Sequence, residues 1–521
     1  MLNSARPRRL PPGSFLRIAT RRSHQLVATV VCVLGILAAV AARAAEHVQP
    51  IGWDAGAALT TVADLNPDPH VVEVNLVARE ADVDIGRGER VHAWTYNGSL
   101  PGPVIRARVG DRLIVHFTNN LPMNTTVHWH GVRVPNAMDG VPEHTQPAVA
   151  SGKSFTYDFV LSDAGLFWYH PHVMSAAQVG FGLYGALVVE DPDEAVDVAD
   201  EAVFVLSDLA LIDGEGQGQI EAPDSGGDLA ATFGREGTRV LLNGRTDARM
   251  RARDGAPQRW RIVNAAKSRY FLLDLDGEPF TVIGTDGGLQ ARAERRDALA
   301  LAPGERLDVI VAPRKPMDGS TVVLRSGLIN RGFGSVEFRR VEQLLTVDFA
   351  DLPSYQGPSP RITSRAIQPL DLTGATRVDL ALTLSTNVDG LTRYGINGQP
   401  FSEDRSRSAH VGETQLWTIT NTTRWSHPFH LHGFFFQVLD EREQPAQPLA
   451  WKDTVDVPFE QTVKIAVRFD DRPGMWMYHC HILDHADLGL MGMLEVLPST
   501  VDADAGLPSA PLPAAQPAEQ R

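Results

Sequence analysis

The sequence predicts an all-β protein built as three consecutive Greek-key β-sandwich domains. Three observations predict it. Gly and Pro are abundant, 45 and 35 of 521 residues, and they punctuate short stretches that alternate apolar and polar residues. No long run carries a convincing helical period. One pattern also occurs three times at a spacing of about 150 residues, an ordinary domain size.

The repeat is a turn, then a strand, then a short motif. Asn97-Gly98 precedes the strand-like run Gly110–Asn119, Asn243-Gly244 precedes Gly255–Asn264, and Asn397-Gly398 precedes Gly412–Asn421. Each run opens on Gly and closes on Asn. Next come His128-Trp129-His130-Gly131, Asp274-Leu275-Asp276-Gly277 and His430-Leu431-His432-Gly433. The domains are therefore placed at 46–195, 196–355 and 356–498. The acidic stretch from Asp191 marks the first boundary, and the Ser/Gly/Pro-rich segment Ser354–Pro360 marks the second.

Both ends differ from this pattern. Residues 1–45 hold seven Arg, no Asp or Glu, an apolar stretch from Leu26 to Ala42, and small residues at Ala42-Arg43-Ala44-Ala45. That is the layout of an export signal peptide, so the chain is expected to be periplasmic or extracellular. Arg21-Arg22 fits the twin-arginine route, although Ser23-His24 stand where that signal usually has a large apolar residue. The apolar run is short for a membrane span, so cleavage would leave no stable membrane association. Residues 499–521 are Ala/Pro-rich without periodicity and read as a disordered tail. Without the leader's arginines, 41 basic residues face 63 acidic ones, a net charge of −22 that argues against nucleic acid and anionic membranes as partners.

The chemistry is concentrated in few residues. Cys32 lies in the leader, so the exported chain has the single thiol Cys480 and no internal disulfide. Cys480 stands between His479 and His481, with His485 just beyond. A thiolate with two imidazoles is the ligand set of a blue copper site. In an extended segment Cys480 faces one way and its two neighbours the other, so one strand can serve two metal sites through a short covalent path.

Ten of the seventeen histidines fall in four clusters: His128 and His130; His170 and His172; His427, His430 and His432; His479, His481 and His485. Imidazole also suits zinc, iron and nickel, but a zinc site needs neither an unpaired thiolate nor so many imidazoles. The bland alternative is ten histidines packed into strands for structural reasons. Val173 to Ala409 contains no histidine, which makes the middle domain a spacer or wall. Phe167–His172 aligns with Trp476–His481, with Pro171 in the place of Cys480, so the first domain keeps an imidazole pair and lacks the thiolate.

From about residue 90 to 497 these four motifs, in this order, resemble the multicopper oxidases, the laccase-like group with three cupredoxin domains. The resemblance implies four copper ions. Type 1 copper would be bound by His427, Cys480 and His485, and type 2 copper by His128 and His430. The type 3 pair would take His130, His170, His172, His432, His479 and His481. Such a site lies between the first and third domains, which the histidine-free middle domain is expected to help hold together. The axial position, ten residues after the cysteine, is Leu490, a carbon side chain that cannot ligate. It implies a three-coordinate copper of higher potential than a Met-ligated one, with Met491 facing the other side of its strand.

Asp139 sits where the family has an acid near its trinuclear site, a catalytic role in proton delivery; an Asp-Gly turn is the plain alternative. The last type 1 histidine is followed by Ala486 and then Asp487, which leaves a second proton path open. Asp453, Asp456 and Glu413 read as surface or strand-end charges.

The function implied is an oxidase that takes single electrons from phenol-like or other small reductants and reduces O2 to water. One alternative is a Cu(I) metallo-oxidase, which the absence of a Met-rich insertion before His427 disfavours. A non-catalytic copper or electron-transfer protein, the alternative of another class, has no use for eight further imidazoles.

Overall fold

The computed structural model describes residues 46–499 apart from 195, 213–217, 223–226, 228–231, 333–339, 363, 387–391 and 402–406. The leader lies outside the described residues, as does the tail beyond Ser499. Among the described residues the strands form six sheets, two to each repeat.

In the first repeat, Arg90–Tyr96, Val71–Asp84, Arg112–Asn119 and Ser154–Val160 form one sheet, and Gly102–Arg108, Gly185–Glu190, Gly165–His170 and His128–His130 the other. Between them lies a core that includes Phe117, Tyr157, Trp129 and Tyr169. The middle repeat encloses Phe204, Trp260, Phe271 and Leu324 between a six-stranded and a five-stranded sheet. The third encloses Trp417, Ile465, Phe429 and Tyr478 between two five-stranded sheets.

The repeated residues have repeated jobs. Each Asn-Gly pair has positive φ at both residues: 55° and 82° at Asn97-Gly98, 52° and 74° at Asn243-Gly244, 54° and 80° at Asn397-Gly398. That is the type I′ hairpin turn, which these two residue types adopt at least cost. The closing Asn of each strand ties down the loop that follows it. Asn119 Nδ2 donates to the Met123 and Val149 carbonyls, Asn264 Nδ2 to Arg269 and Leu301, and Asn421 Nδ2 to Trp425 and Val457. In the outer repeats those loops lead directly into His128–His130 and His427–Leu431.

The histidine strands then pair alike. His128 lies opposite His170 across one antiparallel ladder, and His430 lies opposite His479 across another. Among the described residues no helix is long and apolar enough to cross a membrane.

Candidate metal centre

Three side chains converge at one end of the third core. His427 opens the strand His427–Leu431, Cys480 ends the strand Gly474–Cys480, and His485 sits on the short helix Leu483–Asp487. Cys480 Sγ is 3.4 Å from His427 Nδ1 and 3.7 Å from His485 Nδ1, and the two nitrogens are 3.1 Å apart. The outer nitrogens fix the rings: His427 Nε2 meets Thr423 Oγ1 at 2.8 Å, and His485 Nε2 meets the Thr232 carbonyl at 3.1 Å. Tyr394 stacks on His485 at 4.3 Å.

Burial, then the nearby Arg331, brings His427 down to about 3, so its imidazole is neutral and free to ligate. Burial pushes the Cys480 thiol up, so binding a metal there must displace its proton. Leu490 is fully buried in the same cluster; its carbonyl accepts from Cys480 N at 3.0 Å, and its N–H donates to the His485 carbonyl at 2.9 Å. Met491 lies opposite His479 and packs on the other side of the strand, as the alternation required.

The other eight histidines gather between the first and third repeats. His128 stacks on His432 with centroids 3.9 Å apart, and His130 on His430 at 3.8 Å, so the two equivalent motifs cross over as a pseudo-twofold pair. His172, His432 and His479 form one group whose ligand atoms lie within 4.8 Å of one another; His128, His130 and His170 form a second, and His128, His430 and His432 a third. His481 completes the set, 4.9 Å from His130 and 5.5 Å from His170 by ring centroid.

Most of these rings are held by one nitrogen. His128 Nδ1 donates to the Asp139 carbonyl, His170 Nδ1 to Pro171, His430 Nδ1 to Asp453, and His479 Nδ1 to Cys480, at 2.8–3.0 Å. The opposite nitrogens of His128, His170 and His430, together with His172 Nε2, His130 Nδ1 and both His481 nitrogens, are buried without a hydrogen-bond partner among the described residues. Buried polar atoms are rarely left so. Orphaned imidazole nitrogens in one pocket, with the other nitrogen anchored, fit bound metal ions.

Two carboxylates support the pocket. Asp139 Oδ2 accepts from His432 Nδ1 at 2.8 Å, and its Oδ1 lies 3.3 Å from His128 Nδ1. Burial works against its ionisation, but the His432 and His128 imidazoles outweigh it and hold the carboxyl well below the usual range. Asp453 is the second. It is 1% exposed, and its Oδ1 lies 3.2 Å from His130 Nε2 and 2.8 Å from Thr454 Oγ1. Burial opposes its charge, and Arg306 overrides burial.

Reading Asp453 as a surface charge is therefore overturned. Asp456, read the same way, is half-buried beside the third core, accepts from the Tyr270 hydroxyl at 2.8 Å, and is raised to about 7 by its partial burial. The middle domain takes part in holding the outer two together. Arg306, fully buried, binds Asp453 from the middle repeat with contacts of 2.6 and 2.5 Å. Gly304 closes on the imidazoles so tightly that a Cβ there would stand 3.0 Å from His481 and 3.2 Å from His130. No sequence signal marked these residues, because each acts across a domain boundary.

Models described as multicopper oxidase match residues 78–194, 200–326 and 371–500. The chain belongs to the multicopper oxidase family. This multicopper oxidase is 32% identical over 476 residues to Multicopper oxidase MmcO of Mycobacterium tuberculosis, spanning 82% of this chain and 88% of that one. It is 26% identical to a laccase of Bacillus subtilis, over 77% and 90% of the two chains. A solved multicopper oxidase of Campylobacter jejuni, described as a metallo-oxidase, superposes with a TM-score of 0.75 at 27% identity, covering 85% of this chain and 94% of that one. The three sandwiches are thus of the cupredoxin type, and the enzyme is a copper-dependent oxidoreductase of small reductants with O2 as electron acceptor.

Proposed function

We propose that this multicopper oxidase holds four copper ions. His427, Cys480 and His485 take the type 1 ion, His128 and His430 the type 2 ion, and His130, His170, His172, His432, His479 and His481 the type 3 pair. Bound copper supplies one-electron oxidation of the reductant and four-electron reduction of O2. The chain's own residues do the rest. Cys480 and its neighbours His479 and His481 join the two centres covalently, the observation that carries the reading. Leu490, packed in the same cluster as Cys480, would offer the type 1 ion no ligand atom.

Asp139 orients His432 through Nδ1 and, kept ionised by its imidazole neighbours, presents its orphaned Oδ1 inside the pocket as an acceptor that can take up a proton and pass it on. Asp453 orients His130 and His430 in the same way, with Arg306 keeping it ionised. The substrate class is phenol-like or another small one-electron reductant. Export by the leader and domain boundaries near 195 and 355 belong to the same proposal; the three matched spans support the boundaries.

One observation favours cuprous ion as the reductant. Among the described residues neither type 1 imidazole is exposed, and the Thr232 carbonyl meets the outer nitrogen of His485, a narrower approach for a phenol ring than for a single ion. Steady-state rates under air with a phenol and with Cu(I) separate the two. A clear excess with the phenol is expected, and a clear excess with Cu(I) would reverse the ranking.

A further inference from the structure

Four of the ten methionines assemble on one face of the antiparallel strands Gly474–Cys480 and Met491–Leu497. Met477 lies opposite Met493, and His479 opposite Met491. Opposed residues share a face, and alternation adds Met475 to it. Trp476, Tyr478 and Cys480 point the other way, into the third core. Sequence alone hid this group, because it forms only when the two strands pair.

The methionine face meets the first repeat. It packs with Val141 and Phe401, Asn136 Nδ2 donates to the Met475 carbonyl at 2.6 Å, and His432 N donates to the Met477 carbonyl at 2.9 Å. Met475 and Met491 are half-buried, while Met477 and Met493 are 3% and 4% exposed. Beyond Phe401 stands the exposed imidazole of His144, 6.0 Å away by ring centroid. The row therefore runs from a half-open edge to His479, whose Nε2 lies 3.2 Å from His432 Nε2 in the group with His172.

Methionine fills irregular interfaces well, and that alone would explain one or two such residues. Four thioethers on one two-stranded face, beside a metal-binding imidazole on that same face, have a second consequence, because soft sulfur selects Cu(I) over harder ions. We propose that this methionine ladder binds cuprous ion and hands it to the His172–His432–His479 corner during assembly of the enzyme. The transfer is ligand exchange: Cu–S bonds give way to Cu–N bonds, and the ion stays Cu(I), so no oxidant or reductant is required. The hand-off rests on reading that corner as part of the trinuclear site; binding by the ladder does not. The ladder also lies on the opposite face of the strand from Cys480, away from the point of electron entry.

The test compares the full-length wild type with Met477→Leu/Met493→Leu, a volume-conserving change that a packed core tolerates. Copper-loaded protein is equilibrated with silver ion, a soft probe that takes no part in the redox chemistry, then desalted and analysed for metal. Wild type is expected to retain one silver ion per chain more than the variant. Copper-free protein is separately loaded with cuprous and with cupric copper. The variant should load cuprous copper about tenfold more slowly, the scale on which losing a supporting group lowers metal affinity. Cupric loading and final copper content should match wild type. Equal silver content overturns the site. Equal cuprous rates, or cupric loading slowed by the same factor, overturn the transfer. A wild-type chain that takes up copper only beside Cys480 would instead sink the trinuclear reading, while the silver measurement still decides the ladder.

Discussion

Replacing Arg306 with methionine removes a guanidinium whose five N–H groups all have acceptors. Nε donates to the Leu166 carbonyl at 3.1 Å, Nη1 to Gly304 O and Asp453 Oδ1, and Nη2 to Asp286 O and Asp453 Oδ2. Leu166 belongs to the first repeat, Gly304 and Asp286 to the middle one and Asp453 to the third, so one side chain ties all three domains together. Both partners of the ion pair are buried. Breaking such a pair from one side strands a charge and costs about 3–5 kcal/mol. Asp453→Asn on top of Arg306→Met removes that stranded charge, so the two changes should couple favourably by about 2 kcal/mol. Urea unfolding of the copper-free, full-length chain, followed by tryptophan fluorescence, gives both numbers from the single and double variants. A loss under about 1 kcal/mol, typical of an exposed pair, or strict additivity with Asp453→Asn, would refute the role given to Arg306.

Three further outcomes are expected. Asp139→Asn should slow O2 reduction about a hundredfold, the lower range for loss of a positioned proton donor, while stopped-flow reduction of the type 1 centre by substrate keeps its wild-type rate; equal slowing of both steps counts against proton delivery. Leu490→Met should lower the type 1 reduction potential in a redox titration, and an unchanged potential means that the side chain does not face the copper. Asp456 is raised to about 7 by burial, with Tyr270, Glu305 and Arg331 acting on it, so it is neutral below that pH and ionised above it. Its negative charge, felt at Cys480, favours the oxidised ion. The wild-type potential should therefore fall as pH rises through about 7, or somewhat lower with the copper's charge present; the Asp456→Asn variant should stay flat there, and a matching fall in both assigns the titration to another group.

What the sequence made legible was local or repeated. Asn97-Gly98, Asn243-Gly244 and Asn397-Gly398 announce hairpins because few other dipeptides accept positive φ twice in succession. The alternation that separates Cys480 from His479 follows from strand geometry, as does the turn of Met491 to the face opposite Leu490; His481 lies just past the strand's end. What stayed hidden depends on distant pairing. Asp453 looked like a strand-end charge because its partners Arg306 and His130 lie 147 and 323 residues away. The methionines of Gly474–Cys480 and Met491–Leu497 look scattered until antiparallel register sets Met477 against Met493. The missing histidines of the middle repeat marked it as a ligand-free wall that helps to hold the outer domains together, but the residues that do so, Arg306 and Gly304, carry no motif that sequence could single out.

Crystals of the full-length, copper-loaded enzyme, measured on either side of the copper absorption edge, locate the metal directly. One anomalous peak is expected among His427, Cys480 and His485, and three more among the other eight imidazoles, His128, His130, His170, His172, His430, His432, His479 and His481. Peaks elsewhere, or none in either place, would contradict the four-copper assignment.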